Sequence, residues 1–200
     1  MSSVSRHPGR PRSAAAPLVA SVHRIENADV LDRPAEVLGR VADSALPSRK
    51  ARSVLRGEQL GHALHPLLTD FPLGAWMSTS LLDLFGGRRA RGAATGLLSF
   101  GLAAAVPTVL AGLVELQATT GAARRVGVVH AAVNGGALAL YSSSLMARLT
   151  GRHARAVVLS MVGGMVATVG GYLGGHLSLV LTVGTGARAP VPPDPQASGR

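Results

Sequence analysis

The chain has 200 residues, of which 47% are hydrophobic and only 15% are charged, and its formal net charge is +10. Soluble domains average about 25% charged residues, so this composition indicates an integral membrane protein. The chain contains no cysteine. This excludes disulfides, cysteine-ligated iron–sulfur clusters and c-type haem attachment within it, and leaves histidine as its strong haem or soft-metal ligand. The basic residues are not interleaved with aromatic residues, so we expect no nucleic-acid binding.

The N-terminal part of the chain is polar. Residues 1–26 are rich in Ser, Arg, Pro and Ala and are predicted to be disordered, with no evident signal peptide. Residues 27–61 are predicted to form an interfacial arm with one amphipathic helix, from about Arg33 to Leu46, which Asp32 can cap. We expect the apolar face of this helix to pack on a membrane domain, and docking of a partner is the alternative. That face comprises Val37, Leu38, Val41, Ala42 and Ala45.

Four apolar segments follow the arm. They predict an all-α fold, an integral membrane four-helix bundle over residues 62–187, with helices at about 66–86, 93–114, 126–147 and 157–180. A helix needs about 20 apolar residues to cross the hydrocarbon core. Four crossings place both termini on the same side of the bilayer. Residues 188–200 are rich in proline and are predicted to be a disordered tail.

Three histidines on three different helices are predicted to lie at one depth in the membrane. His65 begins the first helix, His130 lies about 7.5 Å inside the third, and the fourth helix returns to the same side with His176. Ionisable groups are costly inside a bilayer, so a convergent set indicates a functional site. The opposite half of the bundle has only Asp83 and a few hydroxyl groups, which argues against a continuous path for a transported solute.

Three further polar residues complete the predicted site. Asp70 and Asn134 are expected to orient the histidines, and Tyr172 shares a helix face with His176. Purely structural roles remain open for these polar residues. They include a hydrogen-bonded packing network and ion pairs of Glu115 with Arg124 or Arg125 and of Asp83 with Arg88. No sequence motif of a nucleotide-binding loop, zinc protease, serine hydrolase or kinase is present.

The residue types leave three ligands open for this site. Haem b would take two axial imidazoles from facing helices, such as His65 or His130 opposite His176. Zinc or copper would take three or four ligands, which His65, His130 and His176 with Asp70 would supply. A quinone would use the histidines with Asp70 or Tyr172 as hydrogen-bonding and proton-transfer partners. The functional alternatives are a cofactor-free anchor that recruits a soluble redox partner through the arm, and a small-solute transporter.

The segment GHALHPLLTDFPLGAWMSTSLLDLFGG at residues 61–87 resembles a family of bacterial four-helix membrane proteins called domain-of-unknown-function family 2231. The segments RRVGVVHAAVN at 124–134 and GGYLGGHL at 170–177 support the resemblance. It extends over about residues 23–184 and includes an arm of the type found in actinobacterial members. The matching positions include His65, Asp70, His130, Asn134 and His176.

The resemblance implies a bacterial cytoplasmic membrane protein with a possible link to electron transfer, because some relatives carry a Rieske-type iron–sulfur domain. This chain has no cysteine to hold such a cluster. We therefore expect a redox-associated protein that acts with a soluble or membrane redox partner and is not an enzyme by itself. Seven basic residues flank the N-terminal face and six the other face, which slightly favours a cytoplasmic N-terminus.

Overall fold

The computed structural model describes residues 16–45 and 48–184, and all regular structure in that part of the chain is helical. Three helices form the arm: α1 (Ala16–Glu26), α2 (Asp32–Ala45) and α3 (Arg49–Leu55). Four long helices follow: α4 (Leu64–Phe85), α5 (Arg91–Gln117), α6 (Gly121–Leu149) and α7 (His153–Leu179). The predicted all-α class is confirmed. By length and composition, two segments of the described residues, Arg88–Gln117 and His153–Leu179, are apolar enough to cross a membrane, where the sequence predicted four.

The four long helices form two antiparallel hairpins, α4 with α5 and α6 with α7, and the closest packing lies within each hairpin. Each hairpin turns at a glycine with positive φ, Gly87 at 61° and Gly151 at 74°, a conformation that glycine adopts without strain. The two hairpins pack face to face over a common core. Its buried members are Trp76, Leu98, Ala105, Ala137, Tyr141 and Ala167.

The second hairpin repeats the contacts of the first. In α4, the Thr79 hydroxyl donates to the backbone oxygen of Ala94 at 3.3 Å. In α6, the Ser144 hydroxyl donates to the backbone oxygen of Ala156 at 2.7 Å. Ser144 lies 65 positions after Thr79, and Ala156 lies 62 positions after Ala94. The bundle is therefore an internal repeat of two parallel helical hairpins, a form known from membrane transporters with an axis along the membrane normal.

Residues at equivalent positions of the two hairpins contact each other. Trp76 and Tyr141 stack with ring centroids 4.3 Å apart and planes inclined by 21°. Nearer the α4–α5 and α6–α7 turns, Asp83 forms a bidentate ion pair with Arg148, and both side chains are almost fully buried. Asp83 therefore pairs across the hairpins with its own repeat counterpart, and the expected pairing with Arg88 is wrong.

Pro72 leaves one backbone carbonyl group inside α4 without its helical hydrogen-bond donor. Proline has no N–H, so the backbone oxygen of Leu68, four residues earlier, loses its helical donor. The Thr108 hydroxyl of α5 donates to that oxygen at 3.2 Å, and it also donates to the backbone oxygen of Ala104 at 2.9 Å. The proline thus creates a polar link between the two helices of the first hairpin.

The arm folds back onto one end of the bundle. Residues 16–26 belong to the segment predicted to be disordered, but they form α1, because Val22 is buried among side chains of α6 and α7. Residues 1–15 of that segment, Leu46 at the predicted end of α2, and the tail at 188–200 lie outside the described residues. The contact of α1 with Leu177 and Val183 puts both ends of the described chain at the same end of the bundle.

The buried face of α2 differs from the predicted one. Ala35 and Ala42 are buried, and Leu38 packs with them against Leu116 of α5. Val37 and Val41 are exposed, because the small side chains at 35 and 42 allow the closest approach of α2 to α5 and α6. The arm helix therefore packs on the bundle, as expected, through its alanines, and its valines face outwards.

Candidate functional site

His65 lies in the first turn of α4 and is positioned by the backbone of α5. Its Nδ1 is 2.8 Å from the backbone oxygen of Thr108. Gly112, one turn further along α5, leaves room for the imidazole, since a Cβ at that position would lie 2.9 Å from Cε1 of His65. The orientation of this ring is therefore fixed by a carbonyl group and a glycine of the neighbouring helix.

His130 has the same environment in the second hairpin. Its Nδ1 is 2.9 Å from the backbone oxygen of Gly170. A Cβ on Gly174 would lie 3.0 Å from Cε1 of His130. The small residues of α7 thus admit an imidazole between the helices, as Gly112 does in α5. The two histidines are repeat counterparts, 65 positions apart.

The hydrogen bonds define the tautomer of both rings. A backbone carbonyl only accepts, so Nδ1 carries the proton in each ring and Nε2 of the neutral imidazole is an acceptor. The Asn134 amide nitrogen donates to the backbone oxygen of His130 at 2.9 Å and lies 3.3 Å from both ring nitrogens. Asn134 therefore packs beside the ring of His130, and Nε2 of His65 is the more available acceptor.

The two histidines meet between the hairpins. Their ring centroids are 6.2 Å apart and the rings are perpendicular, with an interplanar angle of 88°. Both line a cavity of about 220 Å³, which we call the histidine chamber. Its walls are mostly apolar. The polar side chains that line it, other than Trp76, are His65, Thr69, Thr108, Glu115, Thr119, His130, Asn134 and Ser178.

The histidine chamber is closed towards the hairpin turns. Trp76 lines the chamber and stacks on Tyr141, which is buried in the core beyond it. The buried ion pair of Asp83 with Arg148 follows about two turns further along the helices. Access to the chamber is therefore from the end that carries the arm or from the side of the bundle.

The other predicted site residues lie elsewhere. His176 faces the arm, with Nε2 2.7 Å from Oε1 of Glu26. Asp70 and Tyr172 are exposed on the outer faces of α4 and α7 and do not line the histidine chamber. The structure thus brings together His65, His130 and Asn134 of the predicted set and separates them from His176, Asp70 and Tyr172.

The described residues contain no group of three or more His, Asp or Glu side chains arranged to hold a metal ion. The predicted metal site of His65, His130 and His176 requires three converging imidazoles. His176 is instead engaged by Glu26 on the arm side of α7. The geometry therefore supports a two-histidine site and gives no support to a three-histidine metal centre.

Charged side chains attach the arm beside this site. Glu26 interacts with His176 and, through its other oxygen, with Nδ1 of His23 at 2.7 Å. The hydrogen bonds from His176 and His23 hold the pKa of Glu26 below its usual value. Arg125 of α6 bonds both oxygens of Asp32, and these bonds lower the pKa of the Asp32 carboxyl. Because Arg125 pairs with the arm, the expected Glu115–Arg125 pair is not formed.

The sequence interpretation left two residues at the chamber out of the predicted site, Trp76 and Tyr141, whereas Glu115 was predicted at the same end of the bundle and weighed as a partner in an ion pair. A signal for the aromatic pair exists in the sequence. The spacing from His65 to Trp76 and Thr79 recurs from His130 to Tyr141 and Ser144. A search for internal repeats at an offset of 65 would have found these positions.

The described residues define an all-helical protein of two repeated hairpins, with apolar outer faces and a mostly apolar chamber, lined by two histidines, between the hairpins. A comparison with protein families places the chain more specifically. Residues 61–187 match the model of the family described as "Predicted membrane protein (DUF2231)". The match covers more than half of the chain, so the chain belongs to this family, as the sequence motifs predicted. No curated protein and no solved structure matches the chain.

Proposed function

We propose that all four long helices cross the bacterial cytoplasmic membrane, with the arm end towards the cytoplasm. The other two long helices, α4 and α6, have 22 and 29 residues, which is enough for a crossing, and are repeat counterparts of each other. Large apolar side chains are exposed on the outer faces of α4, α5, α6 and α7, as lipid-facing helices require. Examples are Phe71, Phe100, Met146 and Met165, which are 53%, 54%, 59% and 70% exposed.

We further propose that the histidine chamber binds the head group of a hydroquinone-type electron and proton carrier. The observation that carries this proposal is the meeting of His65 and His130, from equivalent positions of the two hairpins, in one apolar cavity. Ligand sites are typically apolar cavities with a few placed polar groups. The volume of about 220 Å³ suits a single substituted ring.

The tautomers of the histidines favour a ligand that donates hydrogen bonds. Nδ1 of His65 is bonded to Thr108, so its Nε2 can accept a hydrogen bond from a phenolic hydroxyl. The amide of Asn134 and the ring of His130 would hold the opposite edge of the ligand. Trp76 lies along the chamber wall, where its indole can pack against the ligand ring. The redox partner of such a carrier stays a prediction.

Haem b is the second candidate for the same chamber. Two metal–nitrogen bonds of about 2.0–2.1 Å with the ring radii place two axial imidazole centroids about 6 Å apart, close to the observed 6.2 Å. One observation favours a smaller ligand. The cavity of about 220 Å³ is below the usual range of about 300–1,000 Å³.

The structure gives the transport alternative little support. Trp76 and Tyr141 stack across the centre of the bundle, and the buried pair of Asp83 and Arg148 fills the space beyond them. A solute would have to separate both contacts to pass. A closed chamber at one depth is what a binding site requires.

Trp76 provides the test, because it is the only tryptophan in the chain and lines the histidine chamber. Detergent-purified protein is titrated with a short-chain benzoquinol and, separately, its quinone, and the tryptophan emission is followed. We expect a saturable change. His65→Ala should weaken binding by about tenfold, the upper end of one neutral hydrogen bond. His153→Ala, at the far end of α7, is the matched control and should bind as wild type.

The same preparation is examined by optical spectroscopy, oxidised and dithionite-reduced, with haem supplied during expression. A stoichiometric reduced α-band that is lost in His130→Ala would replace the quinol by haem b in this chamber. Folded protein that shows neither saturable quenching nor a haem band would refute a redox-ligand site.

A further inference from the structure

A second cavity opens at the arm end of the bundle. This cavity, which we call the vestibule, has a volume of about 660 Å³. It lies between the connection from α3 to α4, the turn from α5 to α6, and residues 181–184 after α7. Its lining is polar where the histidine chamber is apolar. The polar side chains are Arg56, Glu58, His62, Glu115, Thr119, Thr120 and Thr182.

The vestibule and the histidine chamber share one wall. The side chains that line both cavities are Glu115, Thr119, Ala123 and Val183. Among the described residues of this wall, Glu115 is the only one with a titratable group. A proton that moves between the two cavities through this wall therefore has one side chain that can hold it.

The half-buried Glu115 side chain places one oxygen of its carboxyl group in this wall, and no ion pair of this group is formed with the described residues. Its Oε1 is inaccessible to solvent and has no hydrogen-bond partner among the described residues. The carboxyl group also lies close to the backbone N–H of His65, whose ring lines the histidine chamber. On the other side the chain turns back over it at Gly184, whose φ is 73° and where a Cβ would lie 3.2 Å from Oε2. A buried carboxyl oxygen without a donor is costly unless it serves a ligand or water.

We infer that Glu115 exchanges protons between water in the vestibule and the ligand in the histidine chamber. This inference rests on the proposed function and adds the side from which the ligand site exchanges protons. In one direction, a hydronium ion in the vestibule protonates the carboxylate and becomes water, and the acid then passes the proton into the histidine chamber, where the neutral ring of His65 can accept it. In the other direction, a protonated His65 returns the proton to the carboxylate, which releases it to water.

Occupancy of the histidine chamber should be coupled to this proton. An apolar ring in the chamber removes water from beside the carboxylate and so favours the neutral acid. Ligand binding then takes up one proton at Glu115 and weakens as the pH rises. The other charged or titratable groups at this wall and across the chamber are Arg56, Glu58, His62, His65 and His130.

The test measures benzoquinol affinity against pH with the Trp76 signal. Uptake of one proton changes the affinity by up to about tenfold per pH unit over the range in which Glu115 titrates. Glu115→Gln, a permanently neutral side chain, should bind at every pH with the low-pH affinity of the wild type. Glu115→Asp should keep the pH dependence. Glu58→Gln removes an exposed vestibule carboxylate, is the matched control, and should also keep it.

A Glu115→Gln protein that binds with the wild-type pH dependence would overturn this inference and leave the ligand site intact. If wild type binds no quinol, the proposed function fails, and a ligand-free measurement still decides the role of Glu115. Infrared difference spectra between low and high pH should show a protonated carboxyl band that shifts in D₂O and is absent in Glu115→Gln. A wild-type protein without that exchangeable band would contradict the inference.

Discussion

The buried ion pair at the far end of the bundle gives the most quantitative prediction. Nη1 of Arg148 is 3.0 Å from Oδ1 of Asp83, and Nη2 bonds Oδ2, so the pair is bidentate. The Asp83 and Arg148 side chains are only 1% and 2% exposed. Each charge is therefore removed from water and depends on the other, and a variant that removes one charge leaves its partner buried and unpaired.

Asp83→Asn or Arg148→Met should each lower the free energy of unfolding by about 3–5 kcal/mol, the cost of an uncompensated buried charge. For a chain of this size this corresponds to a melting temperature lower by about 6–20 °C. The double variant Asp83→Leu with Arg148→Met removes both charges. The free energy of unfolding of this double variant should lie between that of the wild type and a value about 4 kcal/mol higher, because no charge is then buried away from water.

The assay is thermal and SDS-induced unfolding in detergent, followed by circular dichroism. Arg89→Gln is the matched control, because it removes an exposed positive charge at the same end of the bundle and should change stability by about 0.5 kcal/mol or less. Single variants as stable as the control, or a double variant as unstable as the singles, would refute a buried and mutually dependent pair.

Three further substitutions test packing, hydrogen bonding and pH dependence. Gly101→Ala should cost about 1–3 kcal/mol in unfolding free energy, because its methyl group overlaps the indole of the core tryptophan, whereas Gly96→Ala has open space and should be neutral or stabilising. Thr108→Val should cost about 1–3 kcal/mol in the same assay, because it leaves the backbone oxygen of Leu68 without a donor, and Thr108→Ser should restore most of the loss. Glu26→Gln should lower the melting temperature at pH 7. The folded-state pKa of Glu26 is depressed by its histidine partners, so that stabilisation is present above the unfolded-state pKa and is lost as the pH falls through the folded-state pKa. The difference should therefore shrink as the pH falls below about 4 and disappear below the folded-state pKa. Each result has an outcome that would contradict its reason. These outcomes are a stability loss in Gly96→Ala as large as that in Gly101→Ala, no stability loss in Thr108→Val, and a Glu26→Gln difference that persists at low pH.

The sequence determined the secondary structure and the family. Runs of about 20 apolar residues separated by arginines can form only one kind of element, so the four long helices were predicted close to their observed bounds. The motif from residue 61 to 87 identified the family. The position of a residue along a helix axis follows from its sequence number and the helical rise, and this argument correctly placed His65 and His130 at one level.

The rotation of each helix about its own axis could not be predicted from the sequence in the same way. A helix that is apolar on all sides has no periodic stripe to show which face is inside. His176 shares the depth of His65 and His130 but faces the arm, and Asp70 faces outwards. Their directions depend on which helix packs next to which, which the depth argument does not contain.

The composition of the arm was misleading for a related reason. Residues 1–26 together are rich in Ser, Arg, Pro and Ala, but residues 16–26 are mostly apolar, and Val22 is buried against side chains of α6, α7 and the residues after α7. Burial against distant segments stabilises a helix that is marginal by itself. The partner of Asp83 was missed because a nearby arginine in sequence was preferred to Arg148 across the bundle.

The sequence by itself thus determined the class of protein, the helices and the depth of the polar groups, since these follow from local hydrophobicity and helical rise. Only the tertiary structure decided which groups meet: His65 with His130, Asp83 with Arg148, and Glu115 at the wall between two cavities. Those contacts depend on the packing of two repeated hairpins around a common axis. That packing sets the rotation of every helix through close contacts at glycine, alanine and the stacked aromatic pair.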